Sequence, residues 1–272
     1  MKRHIAALAA SLGVLAFASS AQAGTPNTTA AGAVSYEVGG GWVTHGVDES
    51  SQNRWFAYTE LAGRSYCVEA ALGPATYFPL DPNLTLYSDS AGTVAFLSNS
   101  DGVGEPPQNK GSRVCYQSPQ AVGATFVRLF KVNVPITAGS GDSGFVRARV
   151  IDTTQVFPFV SLSNDGTGNP LSNVSLWVSN TTTVDVNGTF YVPGYGAVAT
   201  FSGNNKFKAP NQATQSREFR DITIHAPAGV AGWSWQGVAY LMNDGPPGAL
   251  EGWVDTGGAG VQTGVRFFGN PR

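Results

Sequence analysis

The residues best placed to do chemistry are Gly141-Asp142-Ser143-Gly144. A serine between glycines leaves backbone N–H groups free beside its hydroxyl, which is what an acyl-transfer nucleophile needs to stabilise an oxyanion. That nucleophile also needs a histidine base and a carboxylate to orient it. The histidines that could serve are His45, in Trp42-Val43-Thr44-His45-Gly46, and His225, which closes Asp221-Ile222-Thr223-Ile224. Neither context marks a base. The same four letters make an ordinary hairpin turn, and a strand pattern begins at once with Phe145, so Ser143 is expected in a turn without a histidine partner.

Metal chemistry finds little support in the spacing. No His-x-x-x-His or Cys-x-x-Cys pattern occurs, so no zinc site is expected. Asp81, Asp89, Asp101 and Glu105 fall in loops and are weak calcium candidates, since Ca²⁺ accepts loop carboxylates. Their spacing fits no EF-hand, so solvated loops and the absence of a cofactor are expected. Glu218, Asp221, Asp244, Glu251 and Asp255 could supply paired carboxylates for glycoside hydrolysis, but such pairs are defined in space and nothing in the spacing selects one. Trp233 and Trp235 stand two apart, which in extended chain puts both rings on one face about 7 Å apart. Exposed, they form a candidate platform for a sugar or a partner's apolar surface; buried, they fill a core. Gly229, Gly232 and Gly237 nearby suggest a loop tip.

The 272 residues include two cysteines, Cys67 and Cys115. Alternation places Cys67 with Ser65 and Glu69, and Cys115 with Arg113 and Gln117, on the polar faces of their strands. In an oxidising compartment they are expected to form a disulfide between neighbouring strands, outside the main core. That compartment follows from the N-terminus. Lys2 and Arg3, the apolar run Ile5 to Phe17 and Ala21-Gln22-Ala23 have the form of a secretory signal peptide over residues 1–23. A secreted product, extracellular or periplasmic, is expected, and no later run is long enough for a membrane helix. The formal net charge of −2 becomes two units more negative once Lys2 and Arg3 are removed. Nucleic acid and anionic membranes, which call for a basic surface, are therefore not expected partners.

Those groups must be held by strands. Short alternating runs bounded by Gly, Pro, Asn and Asp recur throughout, with 34 Gly and 16 Pro against only 12% charged residues, and helical periodicity is nearly absent after residue 23. The fold class expected is all-β: two tandem β-sandwich domains over 42–152 and 156–272, with the boundary near Asp152 to Gln155. Residues 24–41, with Gly39-Gly40-Gly41, are expected to be a flexible leader outside the first core. Val34, Tyr36 and Val38 share a face and could form one strand that pairs with another subunit's sheet edge.

The segment from Arg54 to Ile151 resembles the bacterial pre-peptidase C-terminal domain, a small β-sandwich appended to secreted proteins. The features are Arg54-Trp55-Phe56-Ala57-Tyr58, Ala62 to Val68, Asp81-Pro82-Asn83-Leu84-Thr85-Leu86-Tyr87, Ser112 to Tyr116, and a closing Gly141 to Val150. What the resemblance implies is an accessory or targeting module, here without its usual peptidase. The tetrapeptide at Ser143 also matches the nucleophile region of chymotrypsin-like proteases, but Phe145 stands where that family carries a further glycine. The second half is similar to β-domains of uncharacterised secreted proteins. Together these features predict an exported, non-catalytic binding or structural protein that recognises carbohydrate or a protein surface. The alternatives are a subunit of an extracellular filament or surface assembly and a secreted hydrolase.

Overall fold

A computed structural model describes residues 27–73, 81–99, 111–119, 123–182, 184–193, 196–201, 219–258, 261–268 and 270–271. After a 3₁₀ turn at Ala30–Gly32 the elements are strands: β1 (Val34–Tyr36), β2 (Val43–Asp48), β3 (Asn53–Leu61), β4 (Ser65–Leu72), β5 (Asn83–Tyr87), β6 (Ala95–Asn99), β7 (Gly111–Gln117), β8 (Thr125–Asn133) and β9 (Ser143–Asp152). They continue as β10 (Gln155–Asn164), β11 (Pro170–Asn180), β12 (Gly188–Val192), β13 (Gly196–Phe201), β14 (Phe219–His225), β15 (Ser234–Asn243), β16 (Leu250–Gly258), β17 (Val261–Phe268) and β18 (Asn270–Pro271). The molecule is all-β, as the alternation predicts. The signal sequence lies outside the described residues, and among those residues no helix is long and apolar enough to cross a membrane.

The N-terminal half faces a five-stranded sheet, β1-β3-β8-β5-β6, against a four-stranded one, β2-β9-β4-β7. The period of two explains the core: Phe56 and Tyr58 of β3, Leu84 and Leu86 of β5 and Phe130 and Val132 of β8 meet Tyr66, Val68 and Ala70 of β4 and Val146, Ala148 and Val150 of β9. Phe56 and Phe130 stack with centroids 4.8 Å apart at its centre. At one end Glu60, fully buried, is paired with Arg128 at 2.7 Å and accepts a hydrogen bond from Tyr116. A charge inside a sandwich is tolerable when compensated in this way.

In the C-terminal half one nine-stranded sheet turns over at the β10–β11 hairpin, where pairing is confined to Ser163↔Ser172 and Asn164↔Pro170. The layer β13-β12-β15-β10 thereby meets the layer β14-β11-β16-β17 over a second core that includes Phe157, Leu162, Leu176, Phe190, Leu241 and Val254. Pro158 is accommodated by a register shift between Phe157 and Val160, because proline cannot donate to the ladder.

The leader expectation is corrected. Val34, Ser35 and Tyr36 pair in parallel with Phe56, Ala57 and Tyr58 at the edge of the first sheet, and Tyr36 is buried in the core with Val38 packed beside it. The Tyr36 hydroxyl donates to the Ala148 carbonyl at 3.2 Å, and Gly39 N–H donates to Val150 at 2.9 Å. Residues 34–39 thus span both sheets at their open side. Because that face is spent within the chain, donation of this strand to another subunit is withdrawn.

Candidate functional site

The tetrapeptide at Ser143 forms the end of a turn and the start of β9. Amides of the turn are already engaged: Gly139 N–H, just before the motif, donates to Glu49 Oε2 at 2.9 Å, Gly141 N–H donates to Glu49 Oε1, and Asp142 N–H donates to Ser140 Oγ at 3.2 Å. The bonds to Glu49 hold its carboxyl below its ordinary pKa, that from Gly139 contributing most. The turn thus donates to a fixed carboxylate of its own chain. His45 pairs with Val146, and Ser143 with Asp48. The imidazole lies edge-on to Phe56 at 5.0 Å with its Nε2 buried and unbonded, so it is not a base for Ser143. His225 lies on β14, in the other half.

Of the calcium candidates, Asp89 is committed to its own turn. It accepts from Val94 N–H at 2.7 Å and from the Thr93 hydroxyl at 2.7 Å, and these bonds, the backbone one foremost, lower its pKa to about 2. Asp81 is half-buried and has partners; Asp101 and Glu105 lie outside the described residues. Asp244 is likewise structural, since both its oxygens accept from Asn187, at 2.8 and 2.6 Å.

Cys67 and Cys115 are bonded, as register partners on β4 and β7 with Cα atoms 4.1 Å apart. They lie on the outer face, away from the first core. That face is not open to water at this point, contrary to its polar composition: Cys67 is 0% exposed, with its Sγ 3.3 Å from the carbonyl oxygen of Gly245 in the other half.

Trp233 and Trp235 do not form an exposed platform. Both are half-buried and packed against the second core. Trp235 shares its face of β15 with Gly237, Ala239 and Leu241, and the ring folds back over Gly237, where a Cβ would come within 2.6 Å of it. Strand parity thus overrides the loop-tip glycines.

A different tryptophan pair faces outward. Trp177 of β11 and Trp253 of β16 are direct register partners, and their rings are parallel within 8° with centroids 6.0 Å apart. Their neighbours Val174, Leu176, Val178 and Val254 point into the core, so parity turns the indoles to the opposite face of the sheet. Asn173 and Ser175 on β11 and Glu251 and Asp255 on β16 share that face. Each indole keeps part of its surface accessible. The Trp177 indole N–H is enclosed and makes no hydrogen bond among the described residues. The result is an aromatic ridge bordered by carboxylates, a hydroxyl and an amide. The signal was present in Val174-Ser175-Leu176-Trp177-Val178-Ser179 and in Leu250-Glu251-Gly252-Trp253-Val254-Asp255, where each tryptophan alternates with apolar residues and shares its face with polar ones. Which strands would be neighbours was not legible, and it is the pairing that makes two lone rings a surface.

Glu251 and Asp255 are four residues apart on one strand, a separation of roughly 13 Å along the backbone. That exceeds the roughly 5 to 9.5 Å between the carboxyl groups of glycosidases. Comparison of the chain with protein-family models and with curated proteins finds no match, so the chemistry of this surface is argued from its geometry.

Proposed function

We propose that this is an exported, non-catalytic carbohydrate-binding protein whose ligand lies along the Trp177–Trp253 ridge. The single observation that carries it is the parallel indole pair on the polar face of β11 and β16. Rings of this kind offer apolar surface to the C–H faces of a sugar, while Glu251, Asp255, Asn173 and Ser175 border them with groups that hydrogen-bond hydroxyls. Export is supported by the charged, apolar and small-residue segments of 1–23 and by the Cys67–Cys115 bond. The resemblance of Arg54 to Ile151 to an accessory β-sandwich of secreted proteins suits the same role, with the two cores as separate domains.

Affinity electrophoresis against neutral polysaccharides such as β-glucan, xylan and soluble chitin derivatives tests it. At least one should retard the protein, and Trp177→Ala or Trp253→Ala should weaken that binding by roughly tenfold or more, as for a central aromatic anchor. Retardation unchanged in both variants, or none with any glycan, would sink the proposal. Release of reducing ends that disappears in Glu251→Gln or Asp255→Asn would replace it with the hydrolase.

A further inference from the structure

Where the two halves meet, one cation is buried without an acceptor. Arg64, in the turn before β4, is 6% exposed, and its Nη1 is enclosed without a hydrogen bond. Among the described residues its guanidinium makes no ion pair either. Asp152, the register partner of Tyr66, instead accepts from Thr154 N–H at 2.9 Å. What the guanidinium does meet is the ring of Tyr240 on β15, with its carbon 3.8 Å from the centroid. Tyr240 is the register partner of Tyr191 on β12, and the two rings lie within 22° of parallel with centroids 6.4 Å apart. Because Phe190 and Leu241 beside them point into the second core, both phenols stand on the outer face of that layer, toward the first half. Neither hydroxyl makes a hydrogen bond among the described residues.

The backbone that carries Arg64 is fixed before any ligand arrives. Ala62 N–H donates to the Ala124 carbonyl and Gly63 N–H to that of Pro119, each at 2.9 Å, and the Arg64 carbonyl accepts from Ser118 N–H at 2.7 Å. Gly63 lies so close to Tyr191 that a Cβ would come within 2.7 Å of its ring. A guanidinium stays charged in a protein interior and carries five N–H donors, so enclosing it without an acceptor is unfavourable. The face of Tyr240 attracts the charge but leaves the guanidinium edge unsatisfied. Water would satisfy those donors without balancing the charge. A carboxylate does both, since its paired oxygens accept two parallel N–H groups in a bidentate fork and keep lone pairs for a phenol. The low exposure of Arg64 sets the size: a compact anion fits between the halves, and a polymer does not.

We propose that the junction of the two halves binds a compact carboxylate of acetate size, received by the Arg64 guanidinium and the Tyr240 hydroxyl. One contact comes from each half, so the bound anion holds them together and stabilises the folded chain by linkage. The site does not depend on the ridge at Trp177.

The test is thermal unfolding in rising sodium acetate, with sodium chloride making up a constant ionic strength and acetamide as the uncharged control of the same shape. The wild-type midpoint should rise by roughly 3 °C and level off as the site fills, whereas a general salt effect keeps rising. Acetamide should give no saturating rise, and Arg64→Gln should abolish the one with acetate. Since Arg64→Gln also removes the contact with Tyr240 and could unfold the protein, Tyr240→Phe serves as a second variant, because it keeps the ring beneath the guanidinium. It should move half-saturation to roughly fivefold higher acetate or more, as for loss of a hydrogen bond to a charged group. No saturating rise in wild type, an equal one with acetamide, a full one in Arg64→Gln, or an unmoved half-saturation in Tyr240→Phe would each overturn the proposal.

Discussion

His45 is a histidine held in an environment that favours its neutral form. It faces inward from β2 against Phe56, and burial first, with the nearby positive charge of Arg54 second, lowers its pKa from 6.5. Between the folded pKa and 6.5 only the unfolded chain takes up the proton, so the unfolded state binds more protons and stability rises with pH across that window. The full contribution is present above 6.5 and is lost as pH falls through the window. Urea unfolding at pH 7.5, 6.5 and 5.5 should show the midpoint falling with acid, and His45→Leu should flatten that dependence over this interval. An unchanged slope in the variant would assign the acid sensitivity elsewhere. The sequence singled out this histidine for catalysis and found no partner for it. What it could not show was that β2 would pair with β9 and turn the imidazole inward, because Val43-Thr44-His45-Gly46-Val47-Asp48 carries a weak pattern with only Val43 and Val47 as large apolar residues.

At the scale of elements, strands with strong alternation were legible and those without it were not. Phe145, Arg147 and Arg149 against Val146, Ala148 and Val150 located β9 and both its faces, and the structure buries the valines and alanine fully. The chain passes from β9 at Asp152 to β10 at Gln155, where the pattern broke. The misjudged element is β1, whose three residues contribute one buried aromatic. Glycine content suggested mobility, but the deciding property is the open side of a sandwich, which appears only once both sheets exist. Tyr36 fills it, and burial raises its hydroxyl pKa to about 12. Removing that ring leaves a cavity and strands its hydrogen-bond partners, so Tyr36→Ala should destabilise the protein by about 3 kcal/mol, in the range for large aromatic truncations. Deleting residues 24–38 should lower the thermal midpoint by many degrees. Thermal melts that superimpose on the full-length protein would show that β1 is an appendage.

Across the whole molecule, the outer face of β4 joins the two halves. Thr153 N–H donates to the Ser65 carbonyl at 2.8 Å and Ser65 N–H to Thr154 Oγ1 at 2.8 Å, which ties the connection back onto the first half. The Arg64 guanidinium lies 3.8 Å from the centroid of the Tyr240 ring, and Gln117 Nε2 donates to the Asn187 carbonyl at 3.3 Å. The disulfide sits in this seam, so the bond that closes a loop of sequence separation 48 in the first half also shapes the surface on which the second half rests. In the chain-entropy model that loop is worth about 4 kcal/mol before strain. Two cores sharing a buried seam should unfold together when its coupling exceeds their difference in stability. Calorimetry of the oxidised protein should give one transition. Cys67→Ser with Cys115→Ser weakens the first half directly and leaves the second core intact, so that variant should melt in two steps, the earlier one belonging to residues 27–152. Arg64→Ala, which removes a seam contact without opening the loop, should broaden the transition while moving it less. Two transitions in the unmodified protein would mean that the seam transmits too little energy to couple the halves. The two cores would then behave as separate, loosely joined modules instead of one rigid body.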